Sequence, residues 1–269
     1  GIICVSSDGG KIIYNGKNLP KVDAVIPRIP ASYVFHGTAV VRQFEMMGIY
    51  SVNESQAIAR SKDKLRSLQL IMRAGLPVPK TAFARSPNKK HIKMVIEEVG
   101  GPPVIIKFVY GTQGLGVILA PTIQSATSII ESLINLKANI LVQEFVKESE
   151  GKDIRAFVVG DNVVGAMLRK APKGEFRANI HKGAHASPIQ LSKEEEEIMA
   201  VKAAKTLGLN IAGVDLLISK NGLKIVEVNS SPGLRGIEQV TKKNIAREIV
   251  EFAVKQVLLG ASTKDIIGT

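Results

Sequence analysis

"AGVDLLISKNGLKIVEVNSSPGL" (212–234) is the stretch on which the reading of this chain turns. Two apolar runs, "AGVDLLIS" and "LKIVEVN", meet at Lys220-Asn221-Gly222, so the stretch reads as a β-hairpin. Side chains alternate along a strand, which puts Glu227 and Asn229 on one face. Whether Asp215 joins them depends on the turn. A two-residue Asn-Gly turn pairs Asp215 with Val228 and points it away. A three-residue loop, with Gly222 in the left-handed position of a bulge, pairs Asp215 with Glu227. The three-residue loop, or another of odd length, is the expectation. Two carboxylates and an amide carbonyl on one face are hard oxygen donors, suited to Mg²⁺ or Mn²⁺. An edge hairpin with solvated acids would carry the same residues, so the rest of the chain has to decide.

A chain of 269 residues can bury a sizeable core and divide into two domains or three lobes. The longest apolar runs, such as "PPVIIKFV" (102–109), are strand length and fall short of the ~20 residues of a membrane span. No membrane role is expected. The opening residues do not read as a basic-then-apolar leader. A single cysteine, Cys4, excludes an internal disulfide framework and suits a reducing cytoplasm. The net charge of +12 calls for an acidic partner: nucleotide phosphates, an acidic peptide or nucleic acid. Aromatic residues are few and Trp is absent, so tracts that stack bases are not apparent.

Strands and helices are mixed along the chain. "VDAVIPRI" (22–29) reads as a strand stopped by prolines, and 38–47 as a helix with Val40, Phe44 and Met47 inward. Ser61 can cap the next helix, whose stripe is Leu65, Leu68 and Met72. Strands follow at 81–84, 104–109, 117–120 and 140–146, with helices at 91–99 and 122–136; Ile129, Leu133 and Leu136 share a side of the latter. Two strands flank the Gly160-Asp161-Asn162 turn, Ser192 can cap a helix over 192–208, and a helix from about 241 to 258 closes the fold. Tight turns between neighbouring strands indicate α/β content with antiparallel pieces, not a simple doubly wound sheet.

Gly111-Thr112-Gln113-Gly114-Leu115-Gly116-Val117 is a glycine loop between two strands. Its GxxGxG order is neither a dinucleotide fingerprint nor a Walker A loop. A flap whose N–H groups close over phosphates fits; so does a plain glycine-rich hairpin. Lys107, in mid-strand just before it, needs an anionic partner unless it lies on a wet face. One such charge pair is worth about 4 kcal/mol at 4 Å and an effective dielectric near 20, before desolvation. Lys64 is a second candidate for the phosphates. "LVQEFV" (141–146) ends in Glu144 and Phe145, a strand edge that can read adenine, and Asp153 can take ribose hydroxyls. Between 169 and 187 lie Arg169, Lys170, Lys173, Arg177, His181, Lys182 and His185. Gly183 argues against a helical two-histidine metal site there. Arg177 with Asn179 suits a γ-phosphate, although a mobile basic loop has the same composition. No GxSxG and no Ser-His-Asp order is seen, so the chemistry has to come from ATP, metal and positioning.

These residues resemble the ATP-grasp superfamily and, more closely, the RimK-type α-L-glutamate ligases, which attach glutamate to the C-terminus of ribosomal protein S6. "IPRI" (26–29), "RQFEMMG" (42–48), "NESQAIARSKDKLRSLQLI" (53–71), "GTQGLGV" (111–117), "LVQEFVKESEGKDIRAFVVGD" (141–161), "GEFRANIHKG" (174–183) and "AGVDLL…VEVNSSPGLRGIE" (212–238) run in the family's order. Ala184 stands where a second glycine is usual after "HKG". The resemblance implies an α/β (α+β) chain with an ATP-grasp fold of two α+β lobes, preceded by a partial Rossmann-like preATP-grasp domain. The family's opening strand and helix would precede Gly1. The divisions implied are 1–60 for the preATP-grasp domain, 61–145 for the N-terminal lobe with the flap, and 146–269 for the C-terminal lobe with the metal hairpin. Lys107 and Lys64 would contact phosphates, Glu144 and Phe145 flank adenine, and Asp153 lie in the nucleotide site. Arg177, Ala178 and Asn179 would lie near the γ-phosphate, and Asp215, Glu227 and Asn229 would bind two Mg²⁺ or Mn²⁺ ions. Arg177 and Lys64 would act in catalysis. The partners implied are L-glutamate and the acidic tail of S6, in a cytoplasmic homo-oligomer with no direct nucleic-acid role required. Two other readings stay open: a ligase that adds glutamate or another amino acid to a coenzyme or carrier protein, and a non-catalytic basic RNA- or ribosome-binding module.

Overall fold

Alternation and turn chemistry sort the chain into sheets flanked by helices. The computed structural model describes residues 2–5, 10–83, 89–109, 116–178, 183–191 and 194–261. Gly111 to Leu115 of the glycine loop, Asn179, His181, Lys182 and Ser192 therefore lie outside the described residues. At the start, β1 (Ile2–Cys4), β2 (Lys11–Tyr14) and β3 (Lys17–Asn18) form an antiparallel ribbon. β4 (Ala24–Val25) and β5 (Tyr50–Ser51) pair in parallel, with α1 (Val34–Met46) between them. The strand expected over 22–29 is confined to β4, because prolines at 27 and 30 have no N–H for a ladder. α1 buries Val41, whereas Met47 is its exposed C-cap and not part of the stripe.

The helix expected behind Ser61 is two helices, α2 (Ser55–Lys62) and α3 (Lys64–Arg73). The break falls at Asp63, whose carboxylate accepts the Arg66 N–H at 3.0 Å and caps α3. Ser61 instead donates its hydroxyl to the Ile58 carbonyl inside α2. With that phase, α3 buries Leu68 and Ile71 and leaves Met72 exposed.

β6 (Thr81–Phe83), β7 (Val104–Phe108), β8 (Val117–Ala120) and β9 (Ile140–Glu144) form an antiparallel sheet in the order β6-β9-β7-β8. α4 (Lys89–Glu98) and α5 (Ile123–Asn135) pack on it through Ile92, Ile96, Ile106, Ile130 and Val142. α5 starts at Thr122 in a capping box with Ser125, and Leu136 at its far end is exposed.

The larger sheet is β10 (Lys152–Val159), β11 (Asn162–Lys170), β12 (His185–Pro188), β13 (Ile211–Ser219) and β14 (Gly222–Asn229), in the order β12-β11-β10-β13-β14. Ile154, Ala156, Val158, Val214 and Leu216 join Ile71 and the alanines of α6 (Glu194–Thr206) in one core. The opposite face, through Phe157, Val159, Met167 and Ile211, packs with α7 (Leu234–Thr241), α8 (Ile245–Leu258) and Tyr50. None of the described helices is long and apolar enough to cross a membrane.

The hairpin reaches the expected pairing by another route. Its turn is Lys220-Asn221, two residues, closed by Ser219 opposite Gly222, and not the three-residue loop. Continued regularly, that turn would set Asp215 against Val226. A bulge intervenes: Leu216 pairs with Ile225, Asp215 pairs with Glu227, and Val226 is the extra residue. The physical reason is burial. Ile225 and Val228 both enter the same core, yet they are three residues apart, and a regular strand cannot turn both inward.

Two glycines of this hairpin separate strain from crowding. Gly222 has φ +100° with open space where a Cβ would go, whereas a Cβ on Gly213 would lie 2.7 Å from Pro232 Cβ. Gly222→Ala is expected to cost about 1 kcal/mol of stability in urea unfolding. Gly213→Ala should cost more, about 1–3 kcal/mol, since packed neighbours must move; equal losses would contradict this account of the hairpin.

Candidate active site

The two large sheets face each other across a cleft. Lys107, Phe108, Gly116 and Val117 line it on the side of the smaller sheet, and Lys64, at the start of α3, lines it as well. Asp153, Phe176, Arg177, Ala178, Asp215, Leu217, Val226 and Glu227 line it on the side of the larger one. Gln143 to Val146, where the chain passes from one sheet to the other, complete the wall. Strand alternation explains the polar floor. On β10, Phe157 and Val159 share one face with Arg155 and Asp153, so the face that is apolar beneath α8 becomes charged toward the strand's start.

Cross-strand register then assembles a buried ion network. Asp153 sits opposite Arg169 on β11, Arg155 opposite Asp215 on β13, and Asp215 opposite Glu227 on β14. Arg155 grips Asp215 with a fork, Nε to Oδ1 at 2.7 Å and a terminal nitrogen to Oδ2 at 2.6 Å. Arg169 forks onto Asp153 at 2.6 and 2.8 Å and reaches Asp215 Oδ2 at 3.1 Å. The Arg169 side chain is only 4% exposed, so its partners are what make its burial tolerable. Burial would raise the Asp215 carboxyl, but Arg155 and Arg169 outweigh it and hold the group below the usual range. Asp153 behaves oppositely: burial lifts it to about 6, with Arg169 opposing only in part.

Lys107 crosses the cleft floor from β7. Its ammonium donates to Gln143 Oε1 at 2.7 Å, and Gln143 in turn donates to Thr81 Oγ1 at 2.8 Å. Burial pulls Lys107 down to about 8; Glu227 and Asp215 counteract this and Lys64 adds to it. Lys62, at the end of α2, feels Glu227 and Lys64 in the same way. Arg177 is forked onto Glu175, Nε to Oε1 at 2.9 Å and a terminal nitrogen to Oε2 at 2.7 Å, and lies over the Phe176 ring. That contact, first of all, drives Glu175 down to about 2. Glu144 is ion-paired to Lys224 of β14.

Of the residues expected from sequence, Lys64, Lys107, Glu144, Phe145, Asp153, Arg177, Ala178, Asp215 and Glu227 line this one cleft. Asn229, opposite Gly213, shares the face of Asp215 and Glu227 but is not among the lining residues. By type the donor set fits a hard divalent cation: two carboxylates in cross-strand register line the cleft, with an amide oxygen on the same face, although Arg155 and Arg169 already engage Asp215. Sequence reading alone misses Arg155, Gln143, Glu175, Lys224 and Lys62. Arg155 had a signal, since it stands two residues after Asp153 and so shares its face. Arg169 reads in the sequence as part of a basic loop; only strand pairing makes it a buried partner of Asp153.

The family model described as RimK-like ATP-grasp domain matches residues 61–253, and that described as RimK PreATP-grasp domain matches residues 2–58. A protein of Vibrio vulnificus (strain YJ016) named "Probable alpha-L-glutamate ligase" is 57% identical over 251 residues, covering 93% of this chain and 82% of its own length. One of the same name from Shewanella loihica is 58% identical over 252 residues, covering 94% and 83%. Among solved structures, the ATP-grasp ligase PsnB complexed with a minimal precursor, Mg and ADP superposes with a TM-score of 0.72 at 22% identity, covering 96% of this chain and 85% of that one. At that identity it shows the fold.

The Lys107 ammonium gives a pH signature. Its native value of about 8 lies below the ordinary 10.5, so the unfolded chain holds more protons between the two. Stability from this group is therefore lowest below pH 8 and recovers as pH climbs from 8 toward 10.5. In thermal melts without nucleotide, Lys107→Met should compare most favourably with the native protein below pH 8, and its advantage should shrink above. A gap that does not change with pH would remove burial as the cause.

Proposed function

The chain belongs to the RimK-like ATP-grasp family of ATP-dependent ligases, and on that premise we propose that it adds L-glutamate, through α-linked peptide bonds, to the C-terminus of ribosomal protein S6. The observation that carries the reading is the meeting of Lys107 and Lys64 with Asp215 and Glu227 in one cleft. The names of the relatives support glutamate as the amino-acid substrate, and the Mg and ADP of the PsnB complex support ATP with Mg²⁺. The net charge of +12 suits two anionic substrates, glutamate and an acidic protein tail. Residues 1–60, 61–145 and 146–269 serve in this reading as preATP-grasp domain, N-terminal lobe and C-terminal lobe.

The roles are those the family resemblance implies, and the shared cleft supports them. Glu144 and Phe145, at the crossing between sheets, flank the adenine, and Asp153 lies in the nucleotide site. Lys107 and Lys64 bind phosphate oxygens; Arg177 and Ala178 lie by the γ-phosphate, a role that the family resemblance extends to Asn179. Asp215, Glu227 and Asn229 would hold Mg²⁺ or Mn²⁺, two ions in this reading, which when bound offset the charge of the transferring phosphoryl group. The terminal carboxylate of the acceptor attacks the γ-phosphorus, an O–P bond forms, and ADP leaves. The α-amine of glutamate then attacks the acyl carbon, loses a proton and expels phosphate, leaving an amide. The protein's part is alignment and neutralisation, which is what a loose phosphoryl transition state needs. Arg177 has to exchange Glu175 for the γ-phosphate, because its guanidinium is committed to that carboxylate.

Glutamate-dependent ADP release, followed with and without S6 alongside the intact mass of S6, tests the whole. The expected result is release that requires both substrates, with stepwise glutamyl additions. Release without any mass change on S6, but with one on a coenzyme or carrier protein, would redirect the acceptor. Salt-sensitive RNA binding without ADP release would favour a binding module. Asp215→Ala and Glu227→Ala should each lower turnover by about 10² or more, and Lys107→Ala should weaken ATP binding in calorimetry. Near-native ligation by either carboxylate variant rejects the metal assignment.

A further inference from the structure

Asp215 is already engaged by two guanidinium groups. A carboxylate offers about four lone-pair positions. Arg155 takes one on each oxygen, at 2.7 and 2.6 Å, and Arg169 takes a third at 3.1 Å. Asp215 and Arg155 face each other in strict register between β13 and β10, and their side chains are 12% and 17% exposed. The four groups Arg155, Arg169, Asp153 and Asp215 form a neutral cluster, two cations against two anions. Adding a divalent charge at Asp215 puts it against a guanidinium already seated on the same oxygens, and like charges at that range repel. The fork is therefore more than a support for the sheet.

We propose that Arg155 is a positioning residue that competes with the divalent cation for Asp215, so that the cation takes this carboxylate only by displacing the guanidinium, which then turns to the anionic substrates. The inference rests on the reading of Asp215 as a cation ligand. Exchange has a consequence that a fixed ion pair lacks. Cation and anion binding become coupled, because the metal releases an always-charged planar donor into a cleft where phosphate or carboxylate oxygens can take it. The cation alone then binds weakly, and it binds well when an anion is present to receive Arg155.

The test is the affinity of the nucleotide-free protein for Mn²⁺, read by electron paramagnetic resonance, for the native protein, Arg155→Gln and the double variant Arg155→Gln/Asp215→Asn. Arg155→Gln should bind Mn²⁺ on the order of ten-fold more tightly, the worth of one lost charge-assisted contact. The double variant should lose that gain. A folded Arg155→Gln protein with unchanged or weaker Mn²⁺ affinity overturns the exchange. If Arg155→Gln does not fold, the native protein decides: the Arg155 Nε–H signal in NMR should move on adding Mg²⁺ with ADP, and a crystal structure of that complex with the fork intact overturns the proposal. Asp215→Asn separates the two levels. Unchanged Mn²⁺–ADP affinity in that variant removes Asp215 as a ligand and both readings with it; weakened affinity beside an inert Arg155→Gln removes the exchange alone.

Discussion

A carboxylate buried in the wall of a cleft is tolerable only with cations held against it, and the Arg155–Asp215 fork is the contact that meets this condition. It also ties the structure together. Arg155 and Asp215 are directly opposed on β10 and β13, so the pair and the strand register require each other. A slip of one residue between the two strands would turn one of the pair to the other face, toward the apolar core shared by Ile154, Val214 and Leu216. Arg169 extends the same logic to β11, bridging Asp153 and Asp215. The floor of the cleft is thus fixed by charge pairing on one face and by hydrophobic packing on the other.

The larger sheet works as a platform because its two faces are built differently. One is apolar from Ile154 to Val158 and packs with α6 and α3. The other is apolar where Phe157 and Ile211 meet α8 and Tyr50, then becomes charged. The bulge at Val226 reconciles the two on β14. It turns Ile225 and Val228 into the core while keeping Glu227 opposite Asp215 and letting Val226 line the cleft. Bulges that re-aim side chains beside a functional site are a recurrent use of this irregularity.

Lysine chemistry comes from the opposite wall. Lys107 is held on Gln143 in surroundings that weaken its hold on the proton, and Lys64 adds to that effect. Such a group gains most when an anion arrives, because the penalty of its burial is then offset. Arg177 and Glu175 form a third fork, which an anion would have to open. Lys107, Arg155, Arg169 and Arg177 thus all stand on polar or acidic partners, inside an overall basic protein.

Much of this is legible without coordinates. The order of "GTQGLGV", "LVQEFV", "GEFRAN" and "VEVN", with Asp215, is enough for the fold family, because each marks a local structure whose chemistry depends on neighbours in the chain. The hairpin, the charged residues at its centre and the lysine in mid-strand are all local signals. What the sequence could not decide is anything set by packing between distant segments. The hairpin turn is shorter than its residues suggest because the bulge answers to a core made with Ile71 and α6, not to the turn residues. Arg169 and Lys224 show no partner within their own segments. Their partners, Asp153 and Glu144, lie 16 and 80 residues away, and only the tertiary structure could bring them together. Register between strands is a collective property, so the acidic and amide residues of the hairpin were written locally, and their charge balance was settled only when the sheet closed.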